Sequence, residues 1–355
     1  MFAFLRITED DELYEETFID KKEVSQKLFS IKDSVFYQNY GLEGGAISSY
    51  FFESRLINCT FLENYAEHLG GALSISSQNI LVETSSFFKN SAMTGGAILI
   101  NNFLTNKNED MNLTIKNCFF SENIGSYMAG AIYTESEIVG LTGEFTNVYF
   151  YKNIATVGGV FHLNHLQSSI KFQFCSFLNN LADFAGVLFS YGGGLVDIYN
   201  STFISNAALN ISFSFKSFKD YFDSIKDSVF MLSNSTYQEK ESEIKESKNF
   251  PYIPFTYEFN LTPSAISITK FRGGIFVLDF QIDFFNVTSY DCLFKRNLAI
   301  DRGGVSLLRI GNHNDYGSFF IENLCGGFGG VIDSEDGSKS MIRNSLFIKN
   351  YAENS

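Results

Sequence analysis

The 355-residue sequence predicts an all-β fold, a right-handed parallel β-helix (solenoid) of about eleven coils. The first observation is a Phe-x-x-Asn motif that recurs every 25 to 33 residues over most of the chain. The second is a Gly-Gly or Ala-Gly pair shortly after most copies of the motif. The third is a series of short β-branched and aromatic runs between turn residues, such as residues 95–100. Periods of this size are typical of solenoids, and such runs favour strands over helices.

The structural repeat consists of ten phenylalanines, each followed three residues later by an asparagine. The pairs are Phe36 and Asn39, Phe61 and Asn64, Phe87 and Asn90, Phe120 and Asn123, Phe150 and Asn153, Phe177 and Asn180, Phe203 and Asn206, Phe294 and Asn297, Phe320 and Asn323, and Phe347 and Asn350. The surroundings of Phe230 copy those of Phe36, which indicates an eleventh coil.

Each motif residue has a physical reason. Strands stacked at roughly 4.8 Å bring the phenylalanines of neighbouring coils together in the interior, where each contributes about 1.5–3 kcal/mol. We expect the asparagine to adopt the left-handed backbone of a tight bend and to bond the same amide one coil away. The glycine pairs allow positive φ and a close approach to the next coil.

Two columns flank the phenylalanines. The residue two positions earlier is small and shares the inward face: Ser34, Cys59, Ser85, Cys118, Val148, Cys175, Ser201, Ser228, Cys292, Ser318 and Ser345. The residue two positions later alternates in charge, as in Glu63, Lys89, Glu122 and Lys152, and is expected to face water at a bend.

Breaks in the repeat suggest four segments. Residues 1–27 form an acidic N-terminal flank or cap, and residues 28–232 form β-helix coils. Residues 233–270 contain all three prolines and a charged run, which indicates an inserted loop. Coils resume over residues 271–355, and we expect them to be truncated because the last motif stops before its glycine pair. There is no recognisable signal peptide and no apolar run long enough for a membrane span, so membrane association is expected only through regions outside this chain.

The glycine-pair tetrapeptides at residues 44–47, 70–73 and 95–98, with the Phe-x-x-Asn repeats, resemble the repeats of the polymorphic outer membrane proteins. Those proteins are surface-exposed adhesins whose repeats form a right-handed parallel β-helix of the pectin-lyase-like superfamily. The resemblance covers residues 31–350 apart from the insertion. It implies a cell-surface or secreted β-helix that acts in adhesion or as a structural stalk.

The sequence offers few residues for chemistry. Cys59 and Cys118 belong to one interior column but are two coils apart, about 9–10 Å, which is too far for a disulfide. His162 and His165 should point to opposite faces of a strand, with no carboxylate cluster nearby. The glycines at 192–194 fit a turn. We therefore expect no catalytic, cofactor-binding or metal site.

Two alternatives stay open. The first is a polysaccharide lyase or hydrolase, because such enzymes use the same fold. Glycoside hydrolysis needs two carboxylates about 5–9.5 Å apart, and the column preceding the small residues is mostly amide. That column contains Asp33, Asn58, Thr84, Asn117, Asn147, Phe174, Asn200, Asp227 and Asp291. The second alternative is an intracellular scaffold.

Charge and sequons bear on the partners and the location. A net charge of −14 argues against nucleic acid as a partner and leaves a host, matrix or neighbouring-cell surface protein or glycan. Seven Asn-x-Ser/Thr sequons favour an extracellular or cell-surface location. The candidate glycosylation sites are Asn58, Asn112, Asn200, Asn210, Asn234, Asn260 and Asn286.

Overall fold

The computed structural model describes residues 5–7, 28–101, 110–136, 140–208, 275–279, 285–308, 311–334 and 338–353. The chain divides into two compact units, residues 1–211 with 270–355, and residues 212–269. All described residues belong to the first unit. In it every strand pairs in parallel with the equivalent strand of the next coil, which gives a right-handed parallel β-solenoid. The predicted fold class is therefore confirmed.

Each regular coil contributes one strand to each of four ladders, which we number in the order in which the chain meets them from Leu28 onward. Ladder 1 contains Leu28–Lys32, Glu53–Ile57, Asn79–Glu83, Met111–Lys116, Leu141–Thr146, Phe285–Tyr290, Gly311–Tyr316 and Lys339–Arg343. Ladder 2 contains Val35–Tyr37, Thr60–Leu62, Ser86–Phe88, Phe119–Ser121, Tyr149–Tyr151, Ser176–Leu178, Thr202–Ile204, Leu293–Lys295, Phe319–Ile321 and Leu346–Ile348.

The other two ladders complete the coil. Ladder 3 contains Tyr40–Glu43, Tyr65–Leu69, Ser91–Thr94, Ile124–Met128, Ile154–Val157, Leu181–Phe184, Ala207–Ala208, Leu298–Ala299, Leu324–Cys325 and Tyr351–Ala352. Ladder 4 contains Leu5–Ile7, Ile47–Tyr50, Leu73–Ser76, Ile98–Asn101, Ile132–Ser136, Phe276–Asp279, Ser306–Leu308 and Ile332–Ser334. Two long strands, Phe161–Gln173 and Leu188–Tyr199, pass through ladder 4 and then ladder 1, joining both into one 18-stranded sheet.

The solenoid has about nine turns, fewer than the eleven coils expected from the sequence. Ladder 2 contains ten strands, and in it Phe203 pairs directly with Phe294. This pairing leaves no place between them for a coil built on Phe230, which lies outside the described residues. The count was too high because a local sequence match does not show which strands pair.

The phenylalanines form one continuous interior stack along ladder 2. Ring centroids of neighbouring coils are 4.5–5.2 Å apart and the planes of the rings differ by 4–19°. The eight rings from Phe61 to Phe320 are fully buried, whereas Phe36 and Phe347 are more exposed because they belong to the first and last described strands of ladder 2. This stack, together with the apolar residues that ladders 1 and 4 point inward, forms a single core.

At the bends between ladders 2 and 3, the left-handed backbone conformation belongs to a different residue from the one that we expected from the sequence. We expected the motif asparagine to be left-handed, but positive φ belongs to the residue before it, as in Glu63 at 53° and Lys89 at 51°. A second left-handed position precedes the small residue, as in Asn58 and Asn117. This explains the many asparagines and aspartates in that column, because these residues tolerate left-handed backbone better than most. The left-handed conformation was wrongly assigned to the motif asparagine, whose side chain instead forms hydrogen bonds between coils.

The side chains of the motif asparagines form an interior amide ladder between ladders 2 and 3. Each motif asparagine from Asn64 to Asn350 accepts, through Oδ1, bonds from the main-chain N–H and the Nδ2 of the asparagine one coil earlier. The Nδ2 of Asn123, for example, donates to Asn153 Oδ1 at 3.0 Å. The same Nδ2 donates to the carbonyl oxygen of Phe87 at 3.0 Å. The amide bonding between coils that the sequence predicted is present, and it ties each bend to the coils on both sides.

The glycine pairs act as expected at the corner between ladders 3 and 4. The first member is left-handed, as in Gly95 with φ of 67°. The second lies against the next coil: a Cβ atom on Gly96 would be 2.3 Å from the carbonyl oxygen of Gly130. Real Cβ atoms do not approach backbone so closely, so this position requires glycine.

Candidate functional site

Ladder 4 carries an outward-facing group of polar and aromatic side chains, which we call the Tyr133 cluster: Tyr133, Glu135, His162 and Asn164. Tyr133 pairs in register with His162, and Glu135 pairs with Asn164, on adjacent coils. The strand period of two places all four on one face. The intervening residue Thr134 faces the core. The sequence creates this face because residues of the two strands alternate between the core and the outside.

The members of the cluster contact one another. The His162 ring lies between two aromatic rings, with centroid distances of 5.2 Å to Tyr133 and 4.9 Å to Phe189. Asn164 Nδ2 donates to Glu135 Oε1 at 3.3 Å, and both residues are hydrogen-bond partners of the Tyr133 hydroxyl. Tyr133 and His162 are only 5% and 4% exposed although they point away from the core.

Burial decides the protonation of the two rings. It lowers the pKa of His162 to about 4, so the imidazole is neutral near pH 7. Burial, followed by the charge of Glu135, raises the pKa of Tyr133 to about 12, so the phenol stays protonated. His162 Nδ1 has no hydrogen-bond partner in the described part of the chain. The cluster therefore combines one carboxyl group, one amide, a phenol and an imidazole nitrogen, a set suited to hydrogen bonding with a polar group.

The sequence missed this cluster. Glu135 of the preceding coil lies near His162 through Tyr133, whose ring packs against the imidazole. His165, as expected, alternates to the face opposite His162 and is also buried. No motif marks Tyr133 or Glu135, and only the pairing of residues 29 positions apart brings them to the histidine.

A second polar group, which we call the His313 cluster, lies on the inward face of ladder 1. Ser289 Oγ donates to Asp315 Oδ1, and Ser345 Oγ donates to Asp315 Oδ2. His313 Nε2 is 3.5 Å from Ser289 Oγ. His313, Ser289 and Asp315 have no exposed surface, and burial lowers the pKa of His313 to about 4, against the opposing effect of Asp315. Because these three residues are fully buried, they form a structural element rather than a site that a substrate can reach.

Comparison with known proteins gives one relevant relative. The chain is 24% identical over 366 aligned residues to "Metabotropic glutamate receptor-like protein R" of Dictyostelium discoideum. The alignment covers 91% of this chain but only 22% of that protein, so the chain spans about a fifth of the relative's length. No protein-family model matches the chain, and no solved structure matches it. Similarity at this level does not assign the chain to a family.

The cysteines lie in the core. All five, Cys59, Cys118, Cys175, Cys292 and Cys325, are buried free thiols. Burial raises the pKa of Cys118, Cys175 and Cys292 to about 12 and that of Cys325 to about 11, so these thiols stay protonated. Within the described ranges, no three His, Cys, Asp or Glu side chains converge as a metal site would require.

Two further features that the sequence analysis singled out are the glycines at 192–194 and the column of alternating charges. We expected the glycines at 192–194 to form a turn. Instead, they lie inside the continuous strand Leu188–Tyr199. Positive φ values of 124° at Gly192 and 159° at Gly194, which glycine adopts more easily than other residues, occur where the strand passes from ladder 4 into ladder 1. Glu63, Lys89, Glu122 and Lys152 lie at the bend between ladders 2 and 3, where Lys89 Nζ is 4.0 Å from Glu122 Oε2.

Several predicted features fall outside the described residues. They are the N-terminal flank or cap 1–27 apart from residues 5–7, the column residues Asp227 and Ser228, the loop 233–270, and the sequons at Asn210, Asn234 and Asn260. Across the described residues, no helix is both long and apolar enough to cross a membrane.

Proposed function

We propose that the chain is a non-catalytic segment of a longer cell-surface or secreted protein, in which the solenoid acts as an adhesin or a structural stalk. The observation that carries this proposal is the match to a receptor-like protein over nearly the whole chain but only 22% of that protein. A solenoid suits a stalk because coils can be added without changing those already present. Ten stacked strands at roughly 4.8 Å each give a stack about 43 Å long.

The finer proposal is that the repeats are of the polymorphic outer membrane protein type, within the pectin-lyase-like superfamily. It is supported by the roles that the motif residues have in the fold: phenylalanine in the stack, asparagine in the amide ladder and glycine at the close corner. The location proposed for this segment is extracellular, and the partner proposed is a protein or glycan of a host, a matrix or a neighbouring cell.

Cell-surface location can be tested on the full-length protein. With an epitope tag in the solenoid, antibody should stain intact cells as strongly as permeabilised cells, or the secreted protein should appear in the medium. Staining that requires permeabilisation would contradict the proposal and would favour the intracellular scaffold.

The contact region can be tested in the same cells. Deleting the loop 233–270 should abolish attachment while leaving the melting temperature nearly unchanged, because loops vary without disturbing the core. If attachment survives this deletion and is lost when Glu63, Lys89, Glu122 and Lys152 are neutralised, recognition belongs to the side of the solenoid and not to the loop.

We also propose that the segment has no catalytic activity. In the Tyr133 cluster, Glu135 pairs in register with Asn101 and Asn164, which are amides, so neither of these described neighbours supplies the second carboxylate that glycoside hydrolysis uses. On the outward face of ladder 1, Lys171 lies in register between Glu144 and Asp197, so these two carboxylates are on coils separated by a lysine and not on adjacent coils. Release of reducing ends or unsaturated products from a panel of polysaccharides, abolished by Glu135→Gln, would contradict the proposal and establish the enzyme alternative.

A further inference from the structure

The Tyr133 cluster continues onto one further coil, the coil that precedes Tyr133. Leu99 pairs in register with Tyr133, and Asn101 pairs in register with Glu135. The outward face of ladder 4 therefore carries two rows, an apolar and aromatic row of Leu99, Tyr133 and His162 and a polar row of Asn101, Glu135 and Asn164. The rows are about 7 Å apart along the strands and the coils are about 4.8 Å apart, so the six side chains are neighbours. We call these six residues the ladder 4 patch.

Two buried polar atoms of the patch have no hydrogen-bond partner among the described residues. They are Asn101 Oδ1 and His162 Nδ1. Asn101 is 6% exposed and His162 is 4% exposed. Folded proteins pair nearly all of their buried polar atoms, because a buried hydrogen bond that is not made costs free energy. Two such atoms on one outward face point to a ligand that supplies the missing bonds.

The polar row accepts hydrogen bonds and carries negative charge. An amide oxygen such as Asn101 Oδ1 can only accept. Glu135 is bonded to Asn164 Nδ2 and to the Tyr133 hydroxyl, which use two of the about four acceptor positions of a carboxylate. The imidazole of His162 is neutral near pH 7, so it adds no charge and can accept at Nδ1. A ligand that fits these acceptors must donate hydrogen bonds and must be a cation, because Glu135 would repel an anion.

The apolar row determines what the rest of the ligand must be. Leu99 is 1% exposed, and with Tyr133 it belongs to a small hydrophobic cluster separate from the main core. An alkyl or aryl group that packs against these side chains leaves water, which is favourable. A cation near the Tyr133 ring gains further attraction from the ring face. Glu135 and Asn164 are only half-buried, so a small ligand can reach the polar row from solvent.

We propose that the ladder 4 patch binds an organic primary amine in its ammonium form. The ammonium group has three N–H bonds, and it donates to Glu135, to Asn101 Oδ1 and to His162 Nδ1, which belong to three successive coils. The apolar body of the amine packs against Leu99 and Tyr133. The Cα atoms of Asn101 and His162 are about 12 Å apart by strand geometry, a gap that two side chains and two hydrogen bonds can span. Binding of the amine is separate from the attachment that we assign to the loop 233–270.

The first experiment compares three probes of similar shape and different charge by isothermal titration calorimetry on the full chain at pH 7.5. They are 2-phenylethylamine, which is a cation at this pH, 2-phenylethanol, which is neutral, and phenylacetate, which is an anion. The amine should bind at least about tenfold more tightly than the other two, because it alone forms charged hydrogen bonds with Glu135. No binding of the amine, or equal binding of the alcohol or the anion, would overturn the proposal.

The second experiment removes the charge of the patch. Glu135→Gln keeps the shape of the side chain and should weaken amine binding at least about tenfold. Glu144→Gln is the matched control, because Glu144 is an exposed carboxylate on the outward face of ladder 1, outside the patch, and its loss should leave the affinity unchanged. An amine that binds the Glu135 variant as tightly as the unmodified chain, or that is weakened equally by both substitutions, would contradict a site built around Glu135.

The third experiment separates a role in binding from a role in the fold. Asn101→Ala should keep the melting temperature measured without amine, since Asn101 Oδ1 has no partner in the described ranges. The same variant should lose most of the rise in melting temperature that the amine gives to the unmodified chain, because a ligand stabilises the folded state only as far as it binds. A variant that melts earlier without amine and keeps the full rise with amine would make Asn101 a structural residue and overturn its place in the site.

Discussion

Asn64 donates two hydrogen bonds to a single acceptor, the side-chain Oδ1 of Asn90 one coil later. Its main-chain N–H is 3.0 Å away and its Nδ2 is 2.9 Å away, and both asparagines are fully buried. Asn90 in turn donates to the carbonyl oxygen of Phe61 at 3.0 Å and to Asn123 Oδ1 at 3.0 Å. One side chain thus satisfies polar groups in the coils on both sides of it.

Asn90→Ala should therefore lower the free energy of unfolding by at least about 3 kcal/mol, because several buried groups lose their partners at about 1–3 kcal/mol each. Urea denaturation of the full chain, followed by circular dichroism, measures the loss. Asn112→Ala is the matched control, since that asparagine is exposed and should cost under about 1 kcal/mol. Equal losses in the two variants would show that the amide ladder contributes little.

Phe120→Ala should cost about 3–5 kcal/mol, because the fully buried ring lies between Phe87 at 4.6 Å and Phe150 at 5.2 Å and its removal leaves a cavity. Lys89→Ala, on the same side of the coil, should cost under about 1 kcal/mol. Its ammonium group is exposed and 4.0 Å from Glu122. The comparison uses the same urea unfolding assay. A Phe120 variant as stable as the Lys89 variant would refute the dominance of the aromatic stack.

Gly96→Ala should prevent stable folding or cost more than about 3 kcal/mol, because its Cβ would be 2.3 Å from a carbonyl oxygen of the next coil. A Cβ atom on Gly143 would meet side chains rather than backbone: Ile170 Cδ1 at 2.7 Å and Phe145 Cε2 at 3.2 Å. Side chains can shift more easily than backbone, so Gly143→Ala should cost clearly less. Thermal melts of both variants test the difference, and the reverse order would argue against backbone crowding at the glycine corner.

Acid should weaken the fold through its buried histidines. Burial lowers the pKa of His162 and of His313 to about 4 from an ordinary value of 6.5, so the unfolded chain binds these protons more readily. Their contribution to stability is complete above pH 6.5 and is lost as the pH falls towards 4, by up to about 3 kcal/mol for each histidine.

This pH dependence has a specific control. His162→Phe preserves an aromatic ring between Tyr133 and Phe189 but cannot be protonated. Urea unfolding at pH 7.5 and pH 5 should show a smaller loss of stability for this variant than for the unmodified chain. If both lose stability equally over that interval, protonation of His162 does not contribute.

The amino-acid sequence by itself determined the parallel solenoid, the interior phenylalanine stack and the glycine corner. These features follow from a repeat of about 26 residues and from the two-residue alternation of strands, both of which are local and readable along the chain. The sequence did not show which residue of the bend is left-handed. In the structure this residue is Glu63 or Lys89, not the asparagine that follows each of them. The asparagines were misassigned because their partners are in other coils.

The tertiary structure alone decided which distant residues meet. Phe203 pairs with Phe294 across 91 residues and so reduces the coil count, and the pairing of two strands brings Glu135 beside the His162 ring system. The same register places Asn112 and Asn286 in one outward column of ladder 1. The reason is that register depends on hydrogen bonds and packing between coils, which are remote in the chain, whereas a motif reports only its own coil.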